Sequence, residues 1–136
     1  IFNLVNSIII YNFAIMEKLH NGCWKLYFIQ LSPKEGGEVV YKIGVTEYFD
    51  VLSRFKEYEQ DFVFKVLCSV IFSSEIKAKS FESALLTIYN KIPRKDVFEQ
   101  YNILSGQGEI RDLTIKEKME ILNFMFHLKN KKPFAI

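Results

Sequence analysis

The chain has 136 residues, with 18 Lys and Arg against 16 Asp and Glu, giving a net charge of +2. This length fits one domain, and 49% apolar residues with 13 Phe and 7 Tyr supply an aromatic-rich core. The small charge permits nucleic-acid binding without arguing for it, and the absence of HExxH, CxxC and Walker-type motifs excludes a sequence-encoded zinc or P-loop site.

Residues 1–15 are apolar and Asn-rich and carry no Lys or Arg. A secretory signal needs a basic start, and Asn6, Ser7 and Asn12 break a run already too short to span a bilayer. Met16 is therefore the expected natural start, with 1–15 an upstream-encoded extension and 16–136 a single domain. Without a targeting signal or membrane span, an intracellular location (cytoplasm or nucleus) is expected.

Trp24 to Leu31 reads as a strand, Ser32 to Gly37 as a turn, and Val39 to Val45 as a second strand, together an antiparallel hairpin. Asp50, a plausible N-cap, opens a helix to about Glu59 with Val51, Leu52, Phe55 and Tyr58 near helical spacing. Phe62 to Phe72 is a long apolar, β-branched and aromatic run, expected as a third strand buried on both faces. A helix follows from about Glu75 to Ile92, with Phe81, Leu85, Ile88 and Ile92 as its apolar stripe and Pro93 as its stop. Residues 94–109 read as loop, with a short extended piece at Phe98 to Leu104. Thr114 to Glu117 is a capping box opening a last helix to about Leu128, striped by Met119, Ile121, Leu122, Met125 and Phe126. The expected fold is α/β (α+β): a small three-stranded antiparallel sheet flanked by helices, ordered β-β-α-β-α with a C-terminal helix. Cys23 and Cys68 form no metal-type pair and read as reduced, buried small hydrophobes.

Alternation puts Lys25, Tyr27 and Ile29 on one face of the first strand, and Val40, Lys42 and Gly44 on one face of the second. Pairing can bring Tyr27 and Lys42 onto one surface, where a cation beside a phenol lowers the phenol's pKa. Gly44 leaves room for a ligand to approach. Arg54 follows on a helix, and a guanidinium forks onto phosphate oxygens. Glu82 sits among apolar neighbours on a later helix, a carboxylate fit for one Mg²⁺. Taken singly, Tyr27 reads as a packed strand aromatic, Lys42 as a solvated strand residue, and Arg54 and Glu82 as surface helix charges. Lys77, Lys79, Lys91, Arg94 and Lys95 form a mild basic strip, by default a solvated face and in the sharper reading a phosphate-tracking surface.

The order of these pieces resembles the GIY-YIG nuclease superfamily. Lys25-Leu26-Tyr27 stands where the family has GIY, and Lys42-Ile43-Gly44, followed by Val45-Thr46, where it has YIG. The KIG spelling is that of the phage and viral branch. Arg54 matches the helix arginine, Glu82 the metal-binding glutamate, and Gly108-Glu109-Ile110 the late Gly-Glu-aromatic segment of that branch, with Ile110 in the aromatic position. Two departures stand out: Lys25 replaces the glycine of GIY, and Lys42 replaces the first tyrosine of YIG. Asn90 and Asn102 compete for the family's late asparagine. The resemblance covers roughly Trp24 to Leu128. It implies a metal-dependent DNA endonuclease using Mg²⁺ or Mn²⁺ on double-stranded DNA, with no membrane role. Tyr27, Lys42, Arg54 and Glu82 would be catalytic, Glu82 would hold the metal, and Lys25, Gly44, Thr46 and Glu109 would line the substrate. The other reading is a catalytically inactive DNA-binding or protein-interaction module on the same scaffold.

Overall fold

The computed structural model describes residues 23–48, 50–101 and 107–135, apart from the side chains of 107 and 132–135. The expected start at Met16, the extension 1–15 and Asn102 lie outside the described residues. Strand β1 is Trp24–Pro33, β2 is Val40–Thr46 and β3 is Phe62–Phe72. The turn between β1 and β2 uses Gly36 and Gly37 at φ of 93° and 145°, backbone angles that side chains with a Cβ rarely adopt. A 3-10 helix, Val51–Tyr58, links β2 to β3, with Asp50 Oδ1 accepting from Leu52 N at 3.1 Å as its cap. Helices α1 (Glu75–Ile88), α2 (Lys95–Gln100) and α3 (Ile115–Ala135) follow, with a 3-10 turn at Gln107–Glu109 and a fourth strand, β4, at Ile110–Arg111 before α3.

The fold is α+β, but the sheet has four strands, not three. Its order is β3-β1-β2-β4 and every pairing is antiparallel. β4 escapes sequence reading because two residues pairing with Tyr41 and Lys42 are too few to show a period. The segment expected as an extended piece from Phe98 is instead the end of α2, with residues 102–104 outside the described residues.

β3 is an edge strand and is not buried on both faces along its length: Val63 is 50% exposed. A β-bulge explains how its apolar run is used. Ile29 pairs with Val66 and Phe28 with Cys68, leaving Leu67 as the extra residue. Side-chain parity therefore flips. Phe62 and Phe64 join Tyr27, Ile29, Leu31 and Val40 on one face, while Cys68, Val70 and Phe72 join Leu26, Phe28 and Ile43 on the other.

Each face has its own cover. α1 and α3 close the Phe28 face through Ala78, Leu85, Ile121 and Met125. The first 3-10 helix and α2 close the Tyr27 face through Val51, Phe55, Val97 and Tyr101. Each fully buried side chain of this size contributes about 1.5–3 kcal/mol relative to exposure. The Tyr101 hydroxyl pins α2 to the hairpin by donating to Glu38 O at 2.9 Å. Thr114 and Glu117 form the reciprocal capping box at the start of α3, at 3.0 and 3.1 Å.

Two stripes are narrower than expected. α1 ends at Ile88, which is 67% exposed, and Ile92 is exposed beyond it. The helix seats on Ala78 and Leu85, with Phe81 of the expected stripe packed against the same cluster. On α3, Ile121 and Met125 are buried whereas Met119 and Phe126 are exposed. Of the two cysteines, Cys68 is buried and Cys23 is half-buried just before β1; both are free thiols. Among the described residues, no helix is long and apolar enough to cross a membrane.

Candidate functional site

The hairpin register pairs Lys25 with Thr46, Tyr27 with Gly44 and Ile29 with Lys42. Alternation then lays Lys25, Tyr27, Thr46, Gly44 and Lys42 on one face of the two central strands. The Tyr27 ring lies against Gly44, so a Cβ added there would collide with its hydroxyl end and stand 2.9 Å from Glu109 Oε2. Gly44 is thus required by its neighbours within the fold. Lys42 Nζ sits 6.0 Å from the Tyr27 ring centroid and pairs with Glu109 Oε2.

Arg54, on the first 3-10 helix, reaches back to the same corner. Its Nη1 donates to Val45 O at 3.1 Å, and its guanidinium carbon lies 5.9 Å from the Phe55 ring centroid. Glu82 sits on α1 between the seating residues Ala78 and Leu85 and is half-buried. Glu109 arrives from the 3-10 turn before β4, its side chain 27% exposed, on the solvent side of Lys42.

Tyr27 and Lys42 are both 0% exposed. The electrostatics reflect this burial. The Tyr27 hydroxyl is pushed well above the ordinary phenol range by desolvation, opposed by the Arg54 charge and reinforced by Glu109 and Glu82. The expected lowering of this phenol by Lys42 is therefore overturned: burial outweighs the cation, and the opposing cation is Arg54. Lys42 is itself lowered by burial, partly restored by the charge and hydrogen bond of Glu109. The Glu82 carboxyl is raised by burial and by Glu109, against the pull of Lys42, Lys79 and Arg54. Tyr27, Lys42, Arg54, Glu82 and Glu109 thus lie in one mutual charge field. The Tyr27 hydroxyl oxygen is buried without a hydrogen-bond partner.

The remaining expected residues fall at the margins. Lys25 is buried one pair along the row. The Thr46 hydroxyl accepts from Tyr48 N at 3.2 Å and shapes the exit of β2. Much of the basic strip is already paired: Lys79 with Glu75, Lys91 with Asp112, and Arg94 with Glu38 and Asp96. Asn90 is exposed beyond the end of α1. Among the described residues, no three His, Cys, Asp or Glu side chains gather as a metal cage.

Arg111 is the residue that sequence reasoning missed. It is 9% exposed and donates to Tyr89 O at 2.9 Å, Gly108 O at 2.8 Å and Ile110 O at 3.0 Å. These bonds tie the turn carrying Glu109 to the C-terminal end of the helix carrying Glu82, where carbonyls lack helical partners. The only sequence signal was an arginine flanked closely by Ile110 and Leu113.

No family model matches the sequence, and neither the curated proteins nor the solved structures yield a match.

Proposed function

We propose that this chain is a metal-dependent DNA endonuclease that hydrolyses phosphodiester bonds with a GIY-YIG-type site. The observation that supports it is that the buried, unpartnered Tyr27 hydroxyl, the Lys42 ammonium, the Arg54 guanidinium and the Glu82 carboxyl, from β1, β2, the first 3-10 helix and α1, act on one another electrostatically. A raised phenol stays neutral at pH 7, so Tyr27 orients the attacking water by hydrogen bonding instead of removing its proton. Arg54 and Lys42 hold phosphate oxygens and offset charge as the water oxygen bonds to phosphorus and gives its proton to bulk water, while the P–O3′ bond breaks and the departing 3′ oxygen takes a proton from solvent.

Glu82 is the residue that would hold one Mg²⁺ or Mn²⁺. A carboxyl whose ionised form is disfavoured by burial and by Glu109 gains from a neighbouring divalent cation. A single protein carboxylate with water and phosphate in the remaining positions is an ordinary Mg²⁺ arrangement. Such an ion supplies Lewis-acid stabilisation of the leaving oxygen.

The test is nicking of supercoiled plasmid with Mg²⁺ against EDTA, for the parent and Glu82→Ala. The parent should cut only with the metal, and the variant should be inactive while retaining the parent's circular dichroism. Equal cutting by both would remove Glu82 from the site. The second reading, a DNA-binding or protein-interaction module without turnover, is favoured by the complete burial of Tyr27 and Lys42. It predicts salt-dependent DNA binding, or none, and no nicking under either condition.

A further inference from the structure

We propose that Lys42, the Tyr27 hydroxyl and the Gly44 backbone form a seat for one phosphate oxygen, and that the Glu109 carboxylate is its resident competitor, which a phosphodiester must displace. This rests on the reading above that the site takes a phosphodiester.

Three features of the chain define the seat. Lys42 is fully buried and its ammonium meets the Glu109 carboxylate. A buried cation needs an anion beside it, because desolvation without a partner is strongly unfavourable. The Tyr27 hydroxyl is buried without a hydrogen-bond partner in the protein, and such groups are rare in native structures unless a water, ion or ligand completes them. At Gly44 the position of a Cβ is contested by the Tyr27 hydroxyl and Glu109 Oε2, so both oxygens crowd one point beside a backbone with no side chain. A carboxylate and a phosphodiester each present anionic oxygens on one central atom. The donors that hold one suit the other.

The same geometry shows how the competitor can leave. Glu109 is the partly exposed member of the pair, on the solvent side. Arg111 fixes the carbonyls of Gly108 and Ile110 on either side of it. Displacement is therefore a swing of one side chain from an anchored turn, not movement of the turn. Arg54 and Glu82 also act on Lys42, with opposite signs. Removing the charge of Glu109 makes the surroundings of Lys42 more positive and more favourable to an incoming anion.

The experiment is calorimetric titration of the full chain with inorganic phosphate at about pH 6, an acidic pH that favours the charged form of a lysine lowered by burial. Trimethyl phosphate serves as the neutral control. Glu109→Gln should bind phosphate about tenfold more tightly than the parent, which corresponds to a competitor that leaves the seat open about a tenth of the time. Binding of the neutral ester should not change. Adding Lys42→Met to Glu109→Gln should abolish the gain. If Glu109→Gln does not fold, Glu109→Asp provides the second variant: its shorter side chain withdraws from Lys42, and tighter phosphate binding is again expected. Phosphate affinity equal to or weaker than the parent's in the folded variant overturns the proposal, even if plasmid is cut. Tighter phosphate binding without plasmid cleavage by any variant supports the seat and overturns the nuclease reading.

Discussion

The two faces of the sheet are made from the same strands and differ in what they bury. The Phe28 face closes under α1 and α3 with Leu26, Phe28, Ile43, Val70, Phe72, Ile121 and Met125. The Tyr27 face closes under the first 3-10 helix and α2 with an aromatic cluster, and the row along it also carries buried Lys25, Lys42 and Thr46. Apolar burial is favourable without direction, whereas a buried ammonium or phenol hydroxyl is tolerable only where specific partners meet it. Both faces bury apolar clusters, and the second also gives up some stability to hold buried polar groups.

Phe28→Ala offers the strongest way to break this contrast. Phe28 is fully buried and stacks on Tyr41 at 5.8 Å between centroids. Its truncation should cost about 3–5 kcal/mol in urea unfolding. A loss under about 1 kcal/mol would mean that the Phe28 face is not the main support. On the other face, Lys42→Met should keep stability within about 1 kcal/mol of the parent or raise it, since it removes a buried charge and leaves Glu109 free to turn to water. In the same variant, plasmid nicking should fall by about 10²- to 10³-fold, the usual loss for one preorganised charge-stabilising donor. A variant that unfolds would make Lys42 a pillar of the fold.

The smallest effect sharpens the comparison through pH. Glu82 has a folded pKa raised above its unfolded value of 4.5 by burial and by Glu109. Its contribution to stability is fully present below the unfolded value and is lost as pH rises through the folded one. Glu82→Gln should therefore gain in melting temperature relative to the parent as pH goes from about 4 to about 7. A gap that narrows over this range would show that the carboxylate is stabilised rather than penalised.

Much of the fold was legible because it is written locally. The capping box at Thr114 and Glu117, the Asp50 cap, the Gly36-Gly37 turn and the alternation placing Tyr27 and Lys42 on one face all depend on neighbours a few residues apart. What escaped depends on partners far along the chain. β4 exists only because Tyr41 and Lys42 offer it an edge. That Ile88 and Ile92 fall outside the core is set by where the sheet ends. The sign of the Tyr27 shift follows from how deeply it is buried, which residue order alone does not state. The link from Glu109 to Lys42 spans 67 positions. Its glutamate was legible only as one piece of a resemblance, and Arg111, which braces it, had almost no local signature.

The bulge at Leu67 gives β3 a property that ordinary strands lack. Even-numbered side chains before it serve one hydrophobic cluster and those after it serve the other. Loss or gain of a single residue there would reverse inside and outside for half of the strand, turning Cys68, Val70 and Phe72 toward the wrong cluster. The length of this segment is therefore fixed to the residue in a way that its largely apolar composition conceals.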